Sequence, residues 1–411
     1  MAAVGGLRGT GDWGTDERPK DFRESIMRIR PNGTSPIFGL TSKAKKTVKT
    51  DPEFAWWAEG ETLVRLQVNG ALASTDTTVV VDSVDPTVTT LGANYGLATH
   101  LKQGDLLLVE PAADNATYDH EIIMVQEVMS ATAFTVSRGA GGTTAATIAN
   151  DLYLTLIGSA YAEGTGIPKA VSRNPIKFYN YTQIFKDVYE LTKTADVTKT
   201  RTGDTWSNDK KRKAFDHARS IEHAILFGTR SETTGSNGKP LRTMGGLRTF
   251  IPASNTTVFG AAVTINSLIT ALSPCFDYST DAGDTRLAFG GNYALMEINK
   301  VVSANSSIHV NYDKKITMYG LDFTEIVLPR GRVLFYSHPL LNVNSLYKKS
   351  MFVLDYSNLS YVTLSGRDTK ATDDVQTKDE DVRRGYYQTE CSLLVDSGGL
   401  SMAYLGNISA T

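Results

Sequence analysis

Two cysteines, Cys275 and Cys391, are all the chain holds in 411 residues, which excludes a disulfide framework as the source of its stability. Two thiols so far apart in sequence fit burial in a reducing compartment better than a bridge. No window approaches the roughly 18 consecutive apolar residues of a membrane-spanning helix. The opening MAAVGGLRGTGDWGTDERPK has no basic stretch leading into an apolar run, so no secretory signal is predicted. An excess of one charge sign is missing too: 42 Lys and Arg stand against 44 Asp and Glu, a net of −2. Whole-molecule attraction to nucleic acid or anionic lipid is therefore excluded, and any such contact has to be local.

Catalytic patterns are also lacking. Gly238-Lys239 runs into Pro240 with no glycine five residues before Gly238, so no phosphate-binding loop forms. Gly139-Ala-Gly-Gly142 neither opens a helix nor belongs to a βαβ unit, and reads as a turn. There is no Gly-x-Ser-x-Gly elbow and no His-Glu-x-x-His pair. Among six histidines only His217 and His223 lie close together, and an offset of six places them on opposite sides of a helix. His217 flanks an apolar stripe and reads as a packed or interfacial residue. Asp373, Asp374, Asp379, Glu380 and Asp381 lack the order of an EF-hand and read as a solvated linker. No catalytic, cofactor-binding or metal-ligating residue is assigned. Catalytic groups can be scattered, so this weighs against an enzyme without excluding one.

What is present is an order of parts. A chain of this length divides into two or three domains, and 41% hydrophobic with 21% charged residues is ordinary for a folded protein. The first 53 residues read as an extended arm with one short helix at 22–30, stopped by Pro31-Asn-Gly-Thr-Ser-Pro36. Through residue 50 the arm holds ten Lys and Arg against five Asp and Glu, a local net of +5. Trp56 and Trp57 follow, too costly to leave in water, and mark either an anchor of the arm or a subunit contact. Residues 68–157 show five short β-rich runs separated by turns, which predicts a small antiparallel barrel or sandwich. Ten acids against Lys102 and Arg138 give this stretch a net of −8, marking an insert with its own surface. A helix is predicted over 207–228, N-capped by Ser207 or Asn208, with Phe215, Ala218, Ile221 and Ile225 as its apolar stripe and Gly228 closing it. Its other face carries Lys210, Lys211, Arg212 and Arg219, to be solvated or to meet an acidic partner. From 258 onward helices and strands alternate, which predicts an α+β domain.

This order resembles the Hong Kong 97-type capsid fold, and more closely the tailed-bacteriophage major capsid proteins that carry a β-module in the extended loop. The resemblance is carried by Asp51-Pro-Glu-Phe-Ala-Trp-Trp57, the runs from 121–128 to 157, the helix at 214–228 followed by Met244-Gly-Gly-Leu247, then Tyr319-Gly-Leu-Asp-Phe323, Phe352-Val-Leu-Asp355 and 386–395. It implies an N-terminal arm (1–53), an extended loop (54–67 and 158–190) bearing the β-insert (68–157), a peripheral domain (191–257 and 376–411) built on the spine helix, and an axial domain (258–375). The tail would return to complete the peripheral sheet.

The resemblance further implies a non-enzymatic shell subunit without cofactor, forming hexamers and pentamers around double-stranded DNA that it does not read by sequence. Its site is the virion, assembled in the bacterial cytoplasm without a membrane. A separate scaffold protein, a portal and a decoration protein are the further partners; the short arm, with no long helical prefix, points to the separate scaffold. Trp56, Trp57, Lys210, Lys211, Arg212 and Arg219 are the candidate assembly residues. Two alternatives stand beside this reading. A tail-tube or baseplate protein would suit the β-insert but not the helix–strand alternation after 258. A carbohydrate-acting enzyme or binding protein would need paired carboxylates in a cleft, for which no context appears.

Overall fold

The computed structural model describes residue 37 and residues 45–58, 65–83, 96–111, 120–171, 175–200, 203–278, 280–281, 283–303, 310–318, 321–328, 330–396 and 398–409. The helix predicted at 22–30 lies outside them. Helices and strands are mixed throughout, as an α+β fold requires.

The insert is built first from local pairing. Its six-stranded sheet runs in the order Arg65–Gln67, Tyr153–Ser159, Asp105–Val109, Ile122–Val128, Ala133–Ser137, Thr78–Val80. Every pairing is antiparallel. The bridge Val68↔Val81 joins the chain after the first strand to the chain after the last and closes the sheet into a small barrel. Shifts of register at Leu106/Leu107 and Val125/Glu127 supply the extra curl. Strict alternation sends Leu66, Val79, Leu107, Ile123, Val125, Phe134, Val136 and Leu154 into one closed core. Arg65–Gln67, expected in the extended loop, is one of the barrel strands.

The body holds two larger sheets. In the five-stranded one Lys46–Lys49 lies parallel to Leu359–Leu364, which pairs with Val382–Val395, which pairs with Gln183–Thr192 and, farther along, Lys370–Thr372. The seven-stranded sheet runs Thr256–Val258, Ala403–Gly406, Met351–Leu354, Thr285–Gly290, Gly331–Ser337, Leu321–Leu328, Val310–Met318. Its middle strand, Thr285–Gly290, is buried at all six positions. Leu287 and Phe289 point into one core with Ile221, Ile225 and Leu393, whereas Ala288 points into a second with Leu268 and Ile298. The sheet is thus the wall between two cores.

Two sheet memberships differ from expectation. Leu359–Leu364 and Lys370–Thr372, placed in the axial segment, pair into the five-stranded sheet, and Ala403–Gly406, placed in the peripheral tail, joins the seven-stranded one. The crossing comes at the turn after Val395. Gly399 has φ +82°, and a Cβ there would come within 2.4 Å of the Phe250 carbonyl oxygen, so glycine alone takes the chain between the sheets.

The long helix spans Thr205–Phe227, two residues earlier at its start than predicted. Asp204 is the N-cap, its carboxylate accepting from the N–H groups of Trp206 and Ser207. The buried face is Trp206, His217, Ile221, Glu222, Ile225 and Leu226, while Phe215 and Ala218 are only half-buried. Apolar spacing missed this rotation because two polar residues share the inner face. Gly228 ends the helix without the left-handed conformation (φ −55°); a Cβ there would meet the Ala224 and Met244 carbonyl oxygens at 2.5 and 2.6 Å.

Candidate assembly surfaces

Glu53–Ala58 and Ile176–Tyr181 form a two-stranded antiparallel ribbon leading from the body toward the barrel. Alternation turns neighbouring tryptophans to opposite faces. Trp56 lies between Phe54 and Phe178, with ring centroids at 6.0 and 5.9 Å, and against Phe250 at 5.9 Å. Trp57, opposite Lys177, is 63% exposed. The pair that was open to two readings therefore splits: Trp56 anchors the ribbon, and Trp57 faces outward beside Tyr179 and Tyr181, which meet edge to face at 5.8 Å. Arg230 stacks over Tyr179 at 3.8 Å.

Asn180 ties the ribbon to the body. Its Oδ1 accepts from the N–H groups of Gly245 (2.7 Å) and Tyr181 (2.9 Å), and its Nδ2 donates to the carbonyls of Gly245 (3.0 Å) and Leu393 (2.7 Å). All four hydrogen-bonding positions of a wholly buried amide are filled.

The basic helix face is not uniformly free. Lys210 pairs with Asp373, which also accepts from the Tyr189 hydroxyl, so that the Asp373 carboxyl is held below its usual range by Lys210 and then by Tyr189. Arg212 lies 3.4 Å from Asp209 in its own helix. Lys211 is exposed and Arg219 half-exposed. The acidic run read as a solvated linker is exposed at 373–375, 377–379 and 381, and it carries surface ion pairs as well: Asp374 meets Arg383 at 3.1 Å, Glu380 meets Arg384 at 3.2 Å, and Asp381 meets Lys193 at 3.8 Å. Arg383 also stacks over Trp206 at 4.3 Å. Four acids of 373–381 thus pair within the chain, one with Lys210 of the long helix and three with Lys193, Arg383 and Arg384 outside it.

His217, read from the sequence as a packed or interfacial residue, is buried, but its partners and several other polar groups escaped sequence reasoning. In the barrel, Glu121 and Arg138 form a buried bidentate pair at 2.7 Å. Burial alone would raise the Glu121 pKa, but Arg138 and the N–H groups of Ala146 and Gly139 outweigh it and hold the carboxyl below its usual value. His217 has its Nδ1 2.6 Å from Asp187 and its Nε2 2.7 Å from the Thr389 hydroxyl. That is the order of a hydrolase relay. Thr389, however, is wholly buried and passes its hydrogen bond on to Thr369, so no substrate reaches the hydroxyl and the chain of bonds joins helix to sheet. At Glu222, a carboxylate at zero exposure meets His338 and the backbone of Ile37. An acid set between Ile221 and Ile225 was the available signal. Arg138 and Asn180 gave none, since their partners are set by folding.

Among the described residues no group of three or more His, Cys, Asp or Glu is placed to hold a metal ion, and no helix is long and apolar enough to cross a membrane. Burial pushes the thiols of Cys275 and Cys391 up to about 12, where neither reacts as a thiolate near neutrality.

A family model described as SU10 major capsid protein matches residues 6–405. The major capsid protein of Pseudomonas phage PaMx41 is 27% identical over 359 residues, covering 85% of this chain and 80% of the relative. Among solved structures the chain is similar to the capsid of Myoviridae phage XM1 (TM-score 0.43, 10% identity, 98% of this chain and 100% of that one). It is likewise similar to the capsid of cyanophage A-1(L) (TM-score 0.43, 10% identity, 98% of each).

Proposed function

Given that the chain belongs to the SU10 major capsid protein family, we propose that it assembles into hexamers and pentamers that close as the icosahedral head shell around double-stranded viral DNA. It is the major capsid protein of a tailed phage, a structural component of the virion. The family match over 6–405 carries the reading. A subunit whose barrel stands on a two-stranded ribbon supports it, because such a projection gains burial only against other copies. In the shell, residues 1–53 act as arm, 54–67 and 158–190 as extended loop, 68–157 as insert, 191–257 with 376–411 as peripheral domain and 258–375 as axial domain, with the exchanges the sheets require: Arg65–Gln67 belongs with the insert, Lys46–Lys49, Leu359–Leu364 and Lys370–Thr372 with the peripheral sheet, and Ala403–Gly406 with the axial one. Assembly takes place in the bacterial cytoplasm, with a separate scaffold protein, a portal and a decoration protein as partners.

Charge supplies a contact between copies. The arm through residue 50 is +5 and the insert −8; Lys45 and Lys46 pair with Asp396 and Asp368 of their own chain, and the remaining positive charge of one arm is drawn toward the insert of another subunit. Negative-stain electron microscopy of the purified protein over a series of concentrations tests the whole reading. Shells or five- and six-membered rings are expected, in yields that fall as salt rises. Tubes of fixed width would replace it with a tail protein, and a yield indifferent to salt would remove the arm–insert contact.

A further inference from the structure

Glu222, His338 and Ile37 are all at zero exposure, and they come from the long helix, the start of a short helix and the arm. His338 Nδ1 accepts from the N–H of Leu340 at 3.3 Å as an N-cap. Its ring proton therefore sits on Nε2, which donates to Glu222 Oε1 at 2.7 Å. The same oxygen accepts from the Ile37 N–H at 2.9 Å. Two donors, one from the arm and one from His338, thus converge on a single oxygen of a wholly buried side chain. His338 is bound in turn to the seven-stranded sheet, its N–H donating to the Gly290 carbonyl at 2.8 Å. The Ile37 side chain fills the core shared by Ile221, Ile225 and Leu341.

A carboxylate buried in an apolar core is costly unless donors surround it. Here one of those donors is a backbone group of a segment 185 residues away in sequence. We propose that the Glu222–His338 pair is the docking site of the N-terminal arm, and that it ties the arm's seat to both the long helix and the seven-stranded sheet. Residues 45–49 are fixed separately, Lys46–Lys49 pairing with Leu359–Leu364 and the Lys45 carbonyl accepting from Tyr361 N–H at 2.9 Å. The arm is thus tied to its own subunit at two points, Ile37 and 45–49.

Hydrogen exchange on the full-length, unassembled subunit tests the docking. In the native protein the Ile37 amide exchanges at least about a hundredfold more slowly than in a synthetic peptide of residues 31–43. Glu222→Leu speeds it by roughly ten- to a hundredfold, the loss of a buried hydrogen bond, while the amides of Phe134 and Leu393 keep their rates. Exchange of Ile37 at the peptide rate in the native protein overturns the proposal, and so does an unchanged rate in the variant. Should Glu222→Leu fail to fold, the native rate decides alone. Failure of the protein to form shells leaves this result untouched, and failure of the exchange test leaves the shell reading untouched.

Discussion

In the barrel, Asp105–Val109 pairs with the next strand, Ile122–Val128, and that strand with Ala133–Ser137, while the longer-range pairings, such as Arg65–Gln67 with Tyr153–Ser159, all stay within residues 65–159. In the body, Lys46–Lys49 waits for Leu359–Leu364, and Thr256–Val258 waits for Ala403–Gly406. The barrel encloses its own core and its own buried ion pair. The body shares one core between the long helix, both sheets and Ile37 of the arm. Local pairing costs little loop entropy and forms early, whereas the body cannot close until its last strand arrives. One region is an independent unit mounted on a ribbon, the other a joint product of both chain ends.

The comparison breaks most directly at Arg138. Arg138→Ala leaves Glu121 buried without its partner and costs the barrel about 3–5 kcal/mol. Residues 65–159 contain no tryptophan, so tryptophan fluorescence is blind to the barrel while circular dichroism reports every region. The variant should show an early dichroism transition in urea with the fluorescence transition in place. A fluorescence midpoint that moves equally would mean the two regions unfold as one. Asn180→Ala probes the other side of the hinge. It strips partners from the buried N–H and carbonyl of Gly245, at about 2–4 kcal/mol, and because Trp56 packs on the same ribbon, fluorescence should now move first.

These two sites also show what the sequence could and could not reveal. The β-runs of the insert, the long helix and the helix–strand order after 258 were legible because period and turn residues are local properties. Membership of the two body sheets was not, because parallel pairing of Lys46–Lys49 with a strand over 300 residues away leaves no local trace. The inner face of the helix was misplaced for a related reason: His217 and Glu222 are buried by partners, Asp187 and His338, that lie elsewhere in the chain. Of the candidate contact residues, composition singled out the cations but could not foresee that Lys210 is occupied by Asp373.

Acid sharpens the contrast more gently. Glu121 and Glu110 both lie in the barrel with pKa values below the ordinary 4.5, Glu121 against its burial through Arg138 and Glu110 chiefly through Arg65. A carboxyl lowered by folding stabilises above its unfolded pKa, and that contribution drains away as pH falls through the folded value. The lowered carboxyls of the body, Asp368, Asp373 and Glu190, pair at sites about a third or more exposed, where solvent screens them. Titration below about pH 4.5 should therefore lower the dichroism midpoint of the barrel ahead of the fluorescence midpoint of the body.

The smallest effect on the subunit is expected at Trp57, and it separates folding from assembly. A side chain 63% exposed has little burial to lose, so Trp57→Ala should leave subunit stability within about 0.5 kcal/mol. Trp56→Ala, one position away on the packed face, should cost about 3–5 kcal/mol. If Trp57 is a contact between copies, its alanine variant keeps the native urea midpoint yet forms fewer shells by electron microscopy at equal concentration. Shells in native yield would assign Trp57 to the solvent, and a lowered midpoint would mean that the outward face of the ribbon packs within the subunit after all. The two neighbours share a strand and a chemistry, so any difference between them comes from which face of the ribbon the alternation assigned to each.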